Sequence, residues 1–195
     1  MLERVALQHF ARYGLEGASL SEIAKELGIT RQALNKRFGS KAALFENVIE
    51  EHRTPFLHFD QSTFPGSPFQ ALQAYTHRLV DEWLSDEGFV IFRIYYTELH
   101  RFPELLDAEL KAIDRMHGSF GAYLNKVARD IGAPNRDWRV SAQLFFGVMT
   151  SYVLPCLLGA PRPSSRQRAT YIERALLHFL SGEGLAELIH EASID

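Results

Sequence analysis

The sequence predicts an all-α protein, with a small three-helix domain containing a helix-turn-helix at the N-terminus and a larger helical domain behind it. Three observations carry this. Apolar residues recur at helical spacing through most of the 195 residues. Ser, Thr, Pro and Gly fall in register at the points where those periodic runs start and stop. No segment shows the alternation of a half-buried strand.

Taken in order, Leu2, Val5, Ala6, Phe10 and Tyr13 form the buried stripe of a first helix that Gly14 ends, and Gly17 gives the link to Ser19. Ser19 with Glu22 reads as a capping box that starts a second helix at Leu20. Leu20, Ile23, Ala24 and Leu27 give that helix one apolar face. Gly28 accepts the left-handed conformation where the helix must stop, Ile29 plugs the gap, and Thr30 caps a third helix from Arg31 to Phe38. Three residues separate Leu27 from Arg31, the connection of a helix-turn-helix. Gly39 breaks the third helix and Ser40 caps a fourth, whose Leu44, Phe45, Val48 and Ile49 face inward.

The segment from Thr54 to Pro68 holds three prolines and a glycine and reads as a loop or broken helix. Beyond it, Ser67 caps a helix from Pro68 to about Leu84, with Phe69, Leu72, Tyr75, Leu79, Val80 and Trp83 as its apolar positions. Further helices are predicted from Phe89 to His100 and from Pro103 to Ile131, stopped by Gly132-Ala133-Pro134. Two more run from Asp137 to Leu158 and from Ser164 or Ser165 to Ser181-Gly182, and a short one spans Leu185 to Glu191. Glu82, Asp86 and Glu87 read as surface charge at the end of a helix, against its dipole.

The net charge of −3 excludes a generally basic nucleic-acid coat. The charge is unevenly spread: residues 1–53 carry eight Lys/Arg against seven Asp/Glu, and residues 54–195 carry thirteen against seventeen. Arg31, Lys36, Arg37 and Lys41 fall in a stretch free of acidic residues, a local positive patch suited to phosphates. Leu34 and Phe38 turn the third helix inward and leave Arg31, Gln32, Asn35 and Lys36 outside. Arg and Lys suit guanine edges, and Gln and Asn suit adenine edges. Gln32, Asn35 and Lys36 are thus candidates for base edges and Arg31 for either role. Thr30, Arg37, Ser40 and Lys41 are candidates for phosphates, Lys41 because a cation at a helix start runs against the dipole.

The run ALQHFARYGLEGASLSEIAKELGITRQALNKRFGSKAALFENVIEE resembles the N-terminal domain of the TetR family of bacterial transcriptional regulators. The matching residues are Phe10, Gly14, Gly17-Ala18-Ser19-Leu20, Ile23-Ala24, Gly28-Ile29-Thr30, Leu34 and Phe38 to Phe45. Asn35 stands where the family commonly has an aromatic residue that contacts the DNA backbone, and Arg37 where it has Tyr or His. The chain begins almost on its first helix, which predicts no minor-groove contact from a basic arm. Phe89 to Arg93, followed by Glu98 to Leu105, is similar to the C-terminal domain of the AcrR/AefR-like branch. The resemblance implies a DNA-binding domain over 1–52 and a ligand-binding and dimerisation domain over 53–195.

It further implies a homodimer, through 137–158 and 164–180, on a double-stranded DNA operator. The residues support two copies: Leu144, Phe145, Val148, Met149, Tyr152, Val153, Leu157 and Leu158 cover too wide an arc for one neighbour. Palindromic half-sites give a second reason. For the effector, an apolar or aromatic small molecule is expected among Trp83, Phe92, Tyr95, Tyr96, Phe120, Tyr123, Phe145 and Met149, with Glu98, His100, His117 and Asn125 as polar anchors. A regulator without a small-molecule ligand, switched by a protein partner, is the alternative.

Gly-rich phosphate loops, nucleophile elbows and zinc-binding His pairs are missing from the sequence, so neither an enzyme, a cofactor nor a metal is expected. No secretory signal and no apolar run near eighteen residues is read, and the expectation is a cytoplasmic protein without a membrane partner. The single cysteine, Cys156, lies in an apolar stretch and reads as a buried small hydrophobe.

Overall fold

The computed structural model describes residues 1–64 and 66–191. Its ten α-helices are α1 (Leu2–Gly17), α2 (Leu20–Glu26), α3 (Arg31–Phe38), α4 (Lys41–Leu57), α5 (Pro68–Trp83), α6 (Asp86–Thr97), α7 (Pro103–Asp130), α8 (Trp138–Leu157), α9 (Ser165–Gly182) and α10 (Glu187–Glu191). Short 3-10 turns cover Gln61–Thr63 and Leu99–Arg101, and no strand occurs among the described residues.

The chain forms two compact units, and the division is not a single cut. The first comprises Met1–Pro55 and Ser85–Ala112; the second comprises Phe56–Leu84 and Ile113–Asp195. α6 and the start of α7 therefore belong with the N-terminal helices, not with the larger unit as expected.

The core of the first unit joins Phe10, Leu15, Ile23, Leu34, Leu44, Phe45 and Val48 with Ile91, Ile94, Leu99 and Leu105. Phe10 meets Phe45 edge-on, with centroids 5.1 Å apart. α1 does not end at Gly14. It kinks there, at φ 72 and ψ 175, and resumes for one turn. That backbone leaves the N–H groups of Leu15 and Glu16 without helical partners, and Glu98 Oε2 accepts both, at 2.8 and 3.1 Å. Arg93 donates to the carbonyl of Ala11, and Arg101 pairs with Glu16. Glu98 is thus a cap for α1.

A second polar cluster lies in the same unit. Arg53 Nε donates to Glu50 at 2.8 Å, Nη1 to Glu109 at 3.0 Å, and Nη2 to Glu46. Tyr95 donates its hydroxyl to the same Glu109 oxygen at 2.7 Å. Burial by itself disfavours the Arg53 cation, but Glu46 and Glu50 outweigh it and hold its pKa above the usual value. Burial also raises Glu109, and the Tyr95 hydrogen bond and the Arg53 charge offset only part of that rise.

Several local expectations need correction. Ser19 precedes α2 in extended conformation but its side chain accepts no capping hydrogen bond, so the box with Glu22 does not close. Ser19 is exposed, and water can serve those N–H groups. α4 continues through Pro55 to Leu57 instead of stopping before it. α6 begins at Asp86 because Ser85 caps it, accepting from Gly88 N at 2.9 Å. Asp86 and Glu87 therefore sit in the first turn of α6, where the dipole favours them, and not against it.

The core of the second unit is aromatic. Tyr75 packs against Phe59 and Phe120, and Phe120 stacks on Phe145 at 4.5 Å. α5 packs on α8 and α9. The helix ends are capped: Ser67 with Gln70 and Ser164 with Gln167 close reciprocal boxes, and Asp137 caps α8. Glu183, buried, accepts from Arg136 at 2.8 Å and from Ser141 at 2.7 Å, tying the C-terminus of α9 to the start of α8. Cys156 is buried.

α8 departs from the expectation in one respect: it is long and apolar enough to cross a membrane by length and composition, with a mean hydropathy of 1.5. Arg139, Ser141, Gln143, Thr150 and Ser151 interrupt the apolar run without outweighing it. The helix is two-sided. Trp138, Ala142, Phe145, Phe146, Met149, Val153 and Cys156 are buried, while Val140 (47%), Leu144 (56%), Val148 (40%), Leu154 and Leu158 (82%) are exposed.

Candidate nucleic-acid interface and effector pocket

The helix-turn-helix forms as the sequence dictates. α2 ends at Glu26 with Leu27 as its C-cap, Gly28 takes φ 68, and its N–H returns to Lys25 O at 3.1 Å. Thr30 Oγ1 accepts from Ala33 N at 3.0 Å and starts α3 at Arg31. Leu34, 1% exposed, fixes the rotation of α3 against the core. That rotation leaves Arg31, Gln32, Lys36 and Arg37 exposed and Asn35 half-buried.

Arg31 and Lys36 form no ion pair among the described residues, and the Arg37 guanidinium lies over the Phe38 ring at 5.0 Å. Three cations on a short helix, without a carboxylate from Arg31 to Lys41, leave this face matched to phosphates. Thr30 and Ser40 serve as caps through lone pairs, Ser40 Oγ accepting from Ala43 N at 3.0 Å, so each keeps its hydroxyl proton to donate.

Lys41 differs from the other candidates. Its ammonium donates to the carbonyls of Ala18, at 3.0 Å, and Glu16. The cation at the start of α4 therefore neutralises the carbonyl end of α1, which explains in structural terms why it stands where the dipole disfavours it.

The candidate effector residues divide between the two units. Phe92, Tyr95, Tyr96 and Glu98 lie in the first unit, and Trp83, Phe120, Tyr123, Phe145 and Met149 in the second. Glu98 is committed to α1 and Tyr95 to Glu109, and Tyr96 is 57% exposed. Phe120, Phe145 and Met149 are fully buried core. Of the proposed anchors, His100 is exposed, while burial lowers the pKa of His117, which packs on Phe146.

Tyr123 lines a pocket. That pocket, about 730 Å³, lies between the Phe59–Gly66 segment and the α7 face of Ser119, Ala122, Tyr123 and Lys126. The sequence signal for it was the pair of phenylalanines, Phe59 and Phe64, in a stretch otherwise marked as loop by its prolines. Phe59 lies 4.2 Å from the Tyr123 ring and stacks on Phe64.

Residues 4–48 match the family model for bacterial regulatory proteins of the tetR family, and residues 70–182 match the AefR-like transcriptional repressor C-terminal domain. The chain belongs to the TetR family. It is a DNA-binding transcriptional regulator. The HTH-type transcriptional regulator AcrR of Shigella flexneri is 34% identical over 86 residues, which are 43% of this chain and 40% of AcrR. The uncharacterized regulator YezE of Bacillus subtilis is 38% identical over 47 residues, 24% of each chain.

The fold recurs in solved structures. A TetR-family regulator from Mesorhizobium loti superposes with a TM-score of 0.79 at 21% identity, over 94% of this chain and 95% of that one. The flavonoid-responsive regulator FrrA gives 0.69 at 23% identity, over 93% and 94%. FadR of Bacillus subtilis, in complex with stearoyl-CoA, gives 0.76 at 14% identity, over 93% and 97%. At these identities the likeness is one of fold.

Proposed function

We propose that this TetR-family protein is a cytoplasmic repressor, not an enzyme, that binds a palindromic operator as a homodimer and is released by an apolar or aromatic small molecule. The observation that carries the dimer is the exposed apolar row on α8. Val140, Leu144 and Val148 are spaced one turn apart and open to solvent, on a helix whose other face is already packed. An apolar row of this kind covers itself most simply by pairing with its own copy about a two-fold axis, together with α9 over 164–180. The same pairing accounts for the apolarity of α8 without a membrane. Two copies of α3 then address two half-sites about one helical turn apart. FrrA and FadR, similar in fold, support a small-molecule effector by analogy.

In this reading Gln32, Asn35 and Lys36 meet base edges, and Thr30, Arg31, Arg37 and Ser40 meet phosphates or, for Arg31, a base. Effector binding would shift the population of dimers toward a recognition-helix spacing that no longer matches the half-sites.

The test is DNA binding by purified protein on the region upstream of its own gene, together with sedimentation. Leu144→Glu places a carboxylate from each copy in the apolar seam. It should raise the dimer dissociation constant by about a hundredfold and weaken operator binding in step. A variant that stays dimeric at wild-type affinity removes α8 from the interface. Asn35→Ala should cost about 1–3 kcal/mol of operator affinity and relax preference at one base position. Equal losses on operator and random DNA would instead assign Asn35 to the backbone.

A further inference from the structure

The pocket of the second unit carries an asymmetry in its polar groups. On the α7 face, Ser119, Ala122, Tyr123 and Lys126 recur at helical spacing and line one side, with Phe59 packed directly on Tyr123 and Phe64 stacked beyond it. Ser119 Oγ accepts from Phe59 N at 3.0 Å and so keeps its hydroxyl proton to donate. The Tyr123 hydroxyl is buried and meets no partner among the described residues. Lys126 makes no ion pair among the described residues.

The one acidic group of the lining, Asp60, is already engaged. Its Oδ1 accepts from Ser62 N at 2.9 Å and Ser62 Oγ at 2.7 Å, and those bonds hold its carboxyl below the usual range. The pocket therefore combines aromatic surface with uncommitted donors on its α7 side, while its one carboxylate stays ionised on the opposite segment, held by Ser62.

We infer that this pocket takes a flat aromatic acid, its rings against Phe59, Phe64 and Tyr123 and its carboxylate on the Lys126 ammonium. The inference rests on the ligand-responsive reading above and sharpens it from an apolar or aromatic molecule to an anionic one. The pocket, about 730 Å³ and open to solvent, has room for two or three fused rings laid against its aromatic side. Aromatic stacking supplies the contact area, and the cation selects the carboxylate over a neutral ring of the same shape.

The test uses 2-naphthoate and its neutral analogue 2-naphthalenemethanol, titrated calorimetrically into the full-length wild type and the Lys126→Met variant. Lys126 is exposed, and methionine keeps most of its aliphatic stem while removing the charge. Naphthoate should bind the wild type saturably and lose at least about tenfold in affinity in Lys126→Met, with the alcohol weaker and indifferent to the change. Phe59→Leu should weaken both compounds. Naphthoate affinity that is unchanged in Lys126→Met, an alcohol that binds as well as the acid, or no saturable naphthoate binding overturns the inference. Operator release is scored separately with the same compounds. Naphthoate that binds through Lys126 yet leaves the operator complex intact upholds the site and removes the release mechanism. Release by the alcohol alone does the reverse.

Discussion

Arg53→Met should destabilise the first unit by about 3–5 kcal/mol, measured by urea unfolding at neutral pH. The methionine matches the arginine stem in length and packing, so the loss isolates the charge. Arg53 is the one cation that Glu46, Glu50 and Glu109 share, and it is largely buried, as is Glu109. Removing it leaves three carboxylates converging on one point with a buried Glu109 held only by Tyr95. A buried charge stripped of its partner costs far more than the pair contributed, because desolvation is no longer offset.

The variant can evade part of that loss by protonating Glu109, and this fixes the pH dependence. Burial already holds the Glu109 pKa above its unfolded value, and loss of the cation raises it further. A carboxyl whose folded pKa is raised binds its proton more tightly in the folded state, so stability falls as pH rises through the folded pKa. The deficit of Arg53→Met should therefore be larger at pH 8 than at pH 5. Adding Glu109→Gln to Arg53→Met should restore part of the lost stability and flatten the pH dependence. If the deficit is pH-independent and Glu109→Gln adds to it, the cost comes from packing, not from the stranded carboxylate.

The same cluster shows what local sequence can and cannot carry. Gly28, Thr30, Gly39 and Ser40 each satisfy a backbone requirement within a few residues of themselves, so the helix-turn-helix was readable almost to the residue. The partnership of Arg53 with Glu109 spans 56 residues and that of Leu15 with Glu98 spans 83, and neither leaves a periodic trace. From sequence Glu98 is a candidate ligand anchor; in the structure its carboxylate accepts from two N–H groups that the kink of α1 exposes. The return of Ser85–Ala112 to the first unit was hidden for the same reason.

Lys41 has a structural reason for its place that the sequence does not display. The dipole of α4 does disfavour it, but the carbonyl end of α1 lies close enough to compensate. Asp86 and Glu87 show the opposite case: next to Glu82 they look like the end of one helix, but Ser85 makes them the first turn of the next. The pocket leaves little trace in the sequence, because the prolines and glycine of residues 54–68 carry the signature of a connection and Phe59 and Phe64 show no period within it.

Gly14→Ala should be nearly as damaging as Arg53→Met, at about 3 kcal/mol, for reasons that separate cleanly. The backbone at φ 72 and ψ 175 lies in a region that only glycine enters without strain, and a side chain there costs on the order of 1–3 kcal/mol. A Cβ would also sit 2.5 Å from Glu98 Oε1. The carboxylate is the free end of a flexible chain and can retreat, but only by releasing Leu15 N and Glu16 N, two bonds to a charged acceptor.

Glu98→Ala alone should lose the bonds without the strain, and the double variant should show the two losses to be coupled, not additive. Gly17→Ala is the control: its φ is not in the left-handed region and its added Cβ meets only Tyr13 Cβ at 3.4 Å, so it should cost little. The consequence reaches the DNA-binding face through one further link. Glu16 and Ala18, in the turn that Glu98 holds, supply the carbonyls that bind Lys41, and Lys41 opens α4 two residues after Gly39 closes the recognition helix. Gly14→Ala that remains folded at 25 °C should therefore bind operator more weakly than wild type, although no residue near the DNA has changed. A variant that loses stability but keeps full operator affinity would show that the end of α1 supports the fold without positioning α3.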